Sequence, residues 1–313
     1  MYSEDIIGHK ELRNYFNSAV EGGVLSHAHL IIGEEGIGKS LIAKELAVRI
    51  IGKTEIKPYV DIMEFRVSKT KKSIGVEDIR GIIEEISKKP FEGDKKAIIV
   101  YQGHKMTAAA QNAFLKTIEE PPAGVFIIIL SEDSEAILDT IKSRCQMHKL
   151  TSLSKDEMMG FIDKNYTEIS DEEKISAMNF AEGVPGRCDH FIKDNDFKIL
   201  RSTALELIID INKLSDAEFE KYLDFLVKNK DMSEEIFSLL ISFIRDIIIY
   251  KNVNNKENII NKDKFNYIEE CSDSFSYRKL QKIIEALNEA RSNLNSNVNP
   301  SLVFQVMLIN MLQ

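Results

Sequence analysis

The sequence predicts an α/β domain built on a parallel sheet, followed by a region that is helical to its end. Three observations carry this. Strand-length apolar runs alternate with helix-period patterns through the first 150 residues, and no strand pattern recurs after them. A glycine-rich loop, Gly33-Glu34-Glu35-Gly36-Ile37-Gly38-Lys39-Ser40, joins the first such run to the helix after it. Repeated βα units imply parallel strands covered by helices on both faces.

The elements follow in order. His29-Leu30-Ile31-Ile32 is an apolar run suited to a buried strand. Residues 40–51 place Leu41, Ile42, Leu46, Ala47 and Ile50 close to helical spacing. Residues 97–101 and 126–130 read as two more buried strands, with shorter candidates at 64–67 and 146–150. Helical patterns fill 76–87 and 108–119, and Pro121-Pro122 ends the latter because proline cannot continue a helix. Ser154, with Glu157 three residues on, reads as a capping box, and Ser170-Asp171-Glu172-Glu173 repeats it. Gly183-Val184-Pro185-Gly186-Arg187 is a turn that opens another helix. Farther on, Ile236, Phe237, Leu239, Leu240, Phe243 and Ile247 form one apolar stripe, and Leu280, Ile283, Ile284 and Leu287 form another. Stripes of this kind make the core of a helical bundle. Residues 252–261 read as a loop. The expected division is 1–150, a small helical domain over 151–195, and an all-α domain over 196–313.

Composition excludes several classes. The chain has 313 residues and is 43% hydrophobic, enough for two or three domains. No run of about 18 apolar residues predicts a membrane span. Met1-Tyr2-Ser3-Glu4-Asp5 is acidic and lacks the apolar core of a signal peptide. Cys145, Cys188 and Cys271 are too few and too scattered for a disulfide framework, so a cytoplasmic location is expected. The net charge of −9 argues against broad, autonomous nucleic-acid binding. One basic run spans residues 66–96, with Lys69, Lys71, Lys72, Lys88, Lys89, Lys95 and Lys96. A solvated helix surface is the preferred reading over a phosphate-contacting patch.

The loop at 33–40 carries the chemistry. Its spacing is that of a P-loop. Glycines let successive N–H groups turn inward around a β-phosphate, Lys39 reaches the β/γ oxygens, and the Ser40 hydroxyl is placed to ligate Mg²⁺. The helix that follows points its N-terminus at the same phosphates. The competing reading is a glycine-rich turn with an incidental lysine.

The segment Met106-Thr107-Ala108-Ala109-Ala110-Gln111-Asn112-Ala113-Phe114-Leu115-Lys116-Thr117-Ile118-Glu119-Glu120-Pro121-Pro122 resembles the "LKxLEEPP" signature of the clamp-loader family. Ser143-Arg144-Cys145 is similar to the family's "SRC" motif. His27-Ala28-His29-Leu30 before the loop and Ile74-Gly75-Val76-Glu77-Asp78-Ile79-Arg80 also fit. The motifs cover residues 1 to about 190; the final third agrees only in length and class. The resemblance implies an AAA+ module: a P-loop domain with a parallel sheet, a helical lid and an all-α collar that joins subunits into an open ring. Such a ring uses ATP to open a sliding clamp and close it around primed DNA. The implied partners are a motor ATPase subunit, a clamp opener and the sliding clamp, with primer-template DNA engaged indirectly. The implied contacts to ATP or ADP, with Mg²⁺, are Gly33, Gly36, Ile37, Gly38, Lys39, Ser40 and Leu41. Arg187 stands at the family's nucleotide-sensing position, and Ile7, in Ile6-Ile7-Gly8, lies in the segment that lines the adenine pocket; a hydrophobic staple is the alternative for the latter. Ser131 falls at the polar sensor position or in a simple strand-end turn.

The sequence departs from the family twice. Hydrolysis needs carboxylates to organise Mg²⁺ and to orient the attacking water. Alignment on Lys105-Met106-Thr107 puts Tyr101 and Gln102 where active members carry Asp-Glu. A phenol with a pKa near 10 is a poor Mg²⁺ ligand, and an amide cannot take a proton from water. His104 is a conceivable substitute base, though a lone histidine is more commonly a surface residue. Relatives also carry a four-cysteine zinc module after the P-loop helix, but residues 52–64 contain no Cys or His, so no zinc is expected there. Arg144 is then expected to act as an arginine finger toward a neighbour's ATP, while the chain's own hydrolysis is weak or absent. The alternative is a motor-type ATPase of the same family; an unrelated small-molecule kinase would lack the paired motifs.

Overall fold

In the computed structural model, residues 6–67, 71–296 and 298–313 are described; residues 1–5, the start of the chain, and Lys69 of the basic run lie outside them. The chain divides into two compact units, one of Met1–Asn165 with Glu182–Arg187, the other of Tyr166–Ala181 with Cys188–Gln313.

The first unit is built on five parallel strands: β1 (Ala28–Ile32), β2 (Ile62–Phe65), β3 (Lys96–Val100), β4 (Val125–Ser131) and β5 (Gln146–Lys149). Their order is β2-β3-β4-β1-β5. Both neighbours of β1 come later in the chain, so the loop leaving β1 sits where the sheet's connections diverge. The helices are α1 (Lys10–Glu21), α2 (Lys39–Ile50), α3 (Val76–Ser87), α4 (Ala108–Glu119), the single turn α5 (Asp139–Lys142) and α6 (Lys155–Asn165).

The strands read as unbroken apolar runs because both faces are buried, as parallel sheets require. Side chains alternate between two cores. Ile127 and Ile129 of β4 join Leu30, Ile98, Val100 and Phe114 on the α3/α4 side. Ile128 and Leu130 join Ile31, Ile99, Tyr101, Ile42 and Leu46 on the α1/α2 side. The sequence places β2 at 64–67, but it runs Ile62–Phe65. As an edge strand half-exposed at three of its four positions, it has a weaker apolar signal than the central strands.

Gln111 of α4 shows how the motif helix is fixed. Its amide donates to the carbonyls of Met106 (3.1 Å) and Ala136 (2.8 Å) and accepts from the Leu138 N–H (2.8 Å). The side chain is 2% exposed. A buried group stripped of its partner loses its full desolvation compensation, so Gln111→Leu is expected to destabilise the chain by about 2–4 kcal/mol. Urea unfolding of the two proteins measures this, and a difference below about 1 kcal/mol would mean the amide is dispensable.

The second unit is helical: α7 (Asp171–Ala181), α8 (Pro185–Lys193, shared with the first unit), α9 (Asn195–Asp210), α10 (Asp216–Lys228), α11 (Ser233–Val253), α12 (Phe265–Ser274), α13 (Tyr277–Asn295) and α14 (Pro300–Leu312). The box expected at Ser154 is present, with Ser154 Oγ accepting from the Glu157 N–H and the Glu157 carboxylate accepting from the Ser154 N–H, while at Ser170 the serine half forms, Ser170 Oγ accepting from the Glu173 N–H. Asn252 and Val253 finish α11 rather than beginning a loop. The rest of that segment is tied down by the buried Asp246 carboxylate, which accepts from the N–H groups of Ile260 and Asn261. α14 is apolar all round. It buries Val303, Phe304, Met307, Leu308 and Met311 and leaves Leu302, Val306, Ile309 and Leu312 exposed. Among the described residues no helix is long and apolar enough to cross a membrane.

Candidate functional site

The loop at residues 33–40 leaves the carboxyl end of β1 and enters α2. Gly36 (φ 81°) and Gly38 (φ 109°) occupy left-handed backbone, which side-chain-bearing residues adopt only at a cost. Ile37 is buried and pins the loop to the α1/α2 core, Ser40 is exposed on the first turn of α2, and Leu41 is half-buried. Lys39 Nζ donates to the carbonyls of Gly33 and Glu34, both at 2.7 Å. It thus lies across the mouth of its own loop. Burial lowers the Lys39 pKa, and the carboxylates of Glu132, Glu35 and Glu34 oppose that shift. The loop geometry, the lysine and the open serine fit a polyphosphate.

The expected neighbours converge on the loop. The segment holding Ile7 lies beside it, because the His9 Nε2–H donates to the Ile37 carbonyl at 3.2 Å and Arg13 bonds both the Ile6 carbonyl and Glu45 of α2. Arg187, at the start of α8, pairs with Glu34 at 3.0 Å and with Glu182 at 3.1 Å. Ser131 turns away: its hydroxyl donates to the Asp133 carbonyl at 2.6 Å, a strand-end turn.

At the end of β3 the two positions that follow the strand are held by Tyr101 and Gln102. Tyr101 continues the strand, with its N–H bonded to the Phe65 carbonyl. Its hydroxyl donates to Glu64 at 2.8 Å, and the Arg66 guanidinium stacks 3.5 Å from its ring centre. Burial, and then the bond to Glu64, push the phenol far above its ordinary value, so it stays a neutral donor. Glu64 is itself taken up by Lys44 at 2.9 Å. Gln102 follows in a left-handed conformation at φ 54°, a strained setting for a residue other than glycine. His104 Nδ1 accepts from the Glu132 N–H at 3.2 Å. Among the described residues no cluster of three or more His, Cys, Asp or Glu side chains is arranged to hold a metal ion.

Arg144 lies elsewhere. It precedes β5, whose Gln146 pairs with His29 of β1, so it stands level with His27 at the amino ends of the strands. The P-loop begins six residues farther along β1, about 20 Å away along the strand direction. Its Nε donates to Glu119 at 2.8 Å and its Nη1 to the Thr140 carbonyl at 3.0 Å. Burial pushes the neighbouring Cys145 thiol up to about 12. Of the other partners, Glu119 was in plain view inside the "EEPP" motif, but Glu34, Glu182, Glu64 and His9 carried no signal of their roles. Their contacts span between 5 and 153 residues of chain.

The parallel sheet, with the P-loop at the carboxyl end of its first strand, and the helical region after it make an α/β P-loop domain followed by an all-α region. Residues 8–154 match the family described as DNA polymerase III, delta subunit, and residues 196–313 match DNA polymerase III, delta subunit, C terminal. The chain belongs to the family of DNA polymerase III clamp-loader subunits. It is 26% identical over 303 residues to subunit delta' of Bacillus subtilis, covering 90% of this chain and 89% of that one. To subunit tau of the same organism it is 24% identical, covering 99% of this chain but 61% of the relative. To subunit gamma of Buchnera aphidicola it is 31% identical over 178 residues, covering 51% and 48%. It therefore spans less than two thirds of the tau and gamma relatives. A solved gamma-subunit-related protein of Thermotoga maritima is 17% identical with a TM-score of 0.49, covering 96% of this chain and 98% of that one.

Proposed function

We propose that the chain is a delta-prime-like stator of the clamp loader, one that lends an arginine to a neighbour's ATP and turns over little or none of its own. The observation that carries this is the separation of Arg144 from the P-loop. Both are fixed to the same pair of strands at opposite ends, so a guanidinium acting on phosphate from this position acts on another subunit's nucleotide. Guanidinium suits the role because it stays charged and pairs bidentately with phosphate oxygens. The β3 end supports the other half of the reading: Tyr101 is spent on Glu64, and Gln102 offers an amide where a carboxylate is needed.

In this reading residues 33–41 hold ATP or ADP with Mg²⁺, Ser40 supplies a ligand to the ion, Ile7 lies by the base and Arg187 by the terminal phosphate. Residues 1–150, 151–195 and 196–313 act as ATPase domain, lid and collar. The partners are a motor subunit, a clamp opener and the sliding clamp, with primer-template DNA engaged through the assembled ring. One observation favours the motor-type alternative: the Glu132 carboxylate raises the Lys39 pKa and lies 3.8 Å from His104 Nε2, a carboxylate–histidine pair beside the P-loop lysine.

Turnover decides between them. The purified chain with ATP and Mg²⁺ is expected to bind nucleotide yet hydrolyse it at least about a thousandfold more slowly than the reconstituted complex, as loss of catalytic carboxylates would dictate. Steady hydrolysis that Lys39→Ala abolishes would sink the stator reading in favour of the motor.

A further inference from the structure

The tip of the P-loop is in contact with the turn that opens α8. The Gly186 N–H donates to the Gly36 carbonyl at 2.9 Å. A Cβ added at Gly186 would lie 2.5 Å from the Gly36 Cα, and one added at Gly36 would lie 2.9 Å from the Gly186 Cα. Neither position has room for a side chain while the two backbones touch. The turn is itself rigid: the Leu153 N–H donates to the Gly183 carbonyl at 2.8 Å, Glu182 is held at φ 49°, and a Cβ at Gly183 would meet the Leu153 carbonyl at 2.6 Å.

Beside this contact Arg187 bridges two carboxylates of different standing. Glu182 rides on the same turn as Arg187, whereas Glu34 belongs to the P-loop. A guanidinium 3.0 Å from a P-loop carboxylate is within reach of the terminal phosphate of a nucleotide seated in that loop. Nη1 is held by Glu182 and Nη2 by Glu34, so Glu34 and a phosphate that takes up Nη2 are rivals for the same donor. A diphosphate ends one group shorter and competes less.

We propose that Glu34 and Gly186 form a latch that holds the P-loop against the start of α8, and that Glu34 sets the preference of the site between nucleoside di- and triphosphate by competing for Arg187. This rests on the nucleotide-binding reading above. Glu34→Gln keeps the shape of the side chain and removes the charge. An exposed ion pair of this kind corresponds to no more than about a fivefold change in an equilibrium.

Calorimetric titration of the full chain with ADP and with a non-hydrolysable ATP analogue, both with Mg²⁺, tests it. Glu34→Gln is expected to raise the triphosphate-over-diphosphate affinity ratio about three- to fivefold. The gain should vanish in Glu34→Gln/Arg187→Ala. It should vanish as well in Glu34→Gln/Gly186→Ala, where the added methyl drives the turn and Arg187 off the loop. An unchanged ratio in a chain that binds both nucleotides, or the same gain without Arg187, overturns the latch alone. Absence of binding by the parent chain and by all variants overturns the nucleotide reading and the latch with it.

Discussion

Arg144→Ala is expected to leave assembly with the other clamp-loader subunits intact and to slow ATP hydrolysis at the neighbouring site by about a thousandfold or more, the scale of a trans-acting arginine. The side chain is one-third exposed, with Glu119 and the Thr140 carbonyl holding its Nε and Nη1. That pose restricts the guanidinium before any partner arrives. The Glu119 pair is exposed on both sides and so contributes at most about 1 kcal/mol, small against the several kcal/mol that a thousandfold rate effect represents. The arginine can therefore leave Glu119 for phosphate at little cost. Arg144→Lys should recover only part of the rate, because an ammonium lacks the planar fork. Single-turnover hydrolysis in the reconstituted complex, with assembly checked by sedimentation, is the measurement. An unchanged rate in a fully assembled ring would remove the finger assignment.

The second large effect is acid lability of the sheet. His29 and His148, on the adjacent strands β1 and β5, are 0% and 9% exposed. The His29 Nε2–H donates to the Ser26 carbonyl at 2.9 Å, leaving Nδ1 to accept from the His148 Nε2–H at 3.1 Å. Phe16 packs edge-on against both rings. Burial, with the neighbouring imidazole's charge adding to it, lowers His29 to about 4, and burial does the same to His148. Both values lie below the unfolded value of 6.5. Between pH 6.5 and 4 the unfolded chain binds protons that the folded chain refuses, so stability is full above pH 6.5 and falls as pH drops toward 4. The two groups together account for a loss on the order of 5 kcal/mol, a large part of a domain's stability. Urea midpoints measured across this range should show the slope. A His148→Gln variant keeps a hydrogen-bond donor but cannot titrate, and it should lose about half of that slope. A slope equal to the parent's would assign the acid effect to other groups.

Much of the fold was legible in the chain because its signals are local. Central strands buried on both faces have no polar positions to blur them, which is why β1, β3 and β4 could be read within a residue or two. The edge strand β2 slipped by two residues for the opposite reason. The helix caps at Ser154 and Ser170 are decided within four residues. The P-loop is legible on the same terms, since its chemistry is backbone conformation set by adjacent glycines.

What the sequence by itself determined is the inventory: a P-loop after the first strand, an acid-free end to β3, an arginine between Ser143 and Cys145, and a helical remainder. Only the tertiary structure decided how these meet. Parallel register puts Arg144 and the P-loop at opposite ends of one strand pair. Packing brings Gly186 onto Gly36, Arg187 onto Glu34, Glu64 onto Tyr101 and His148 onto His29, over separations as long as 153 residues. Periodicity reports which face of an element is apolar. It carries no information on which distant element covers that face, because that choice is settled by sheet order and close packing of the whole unit.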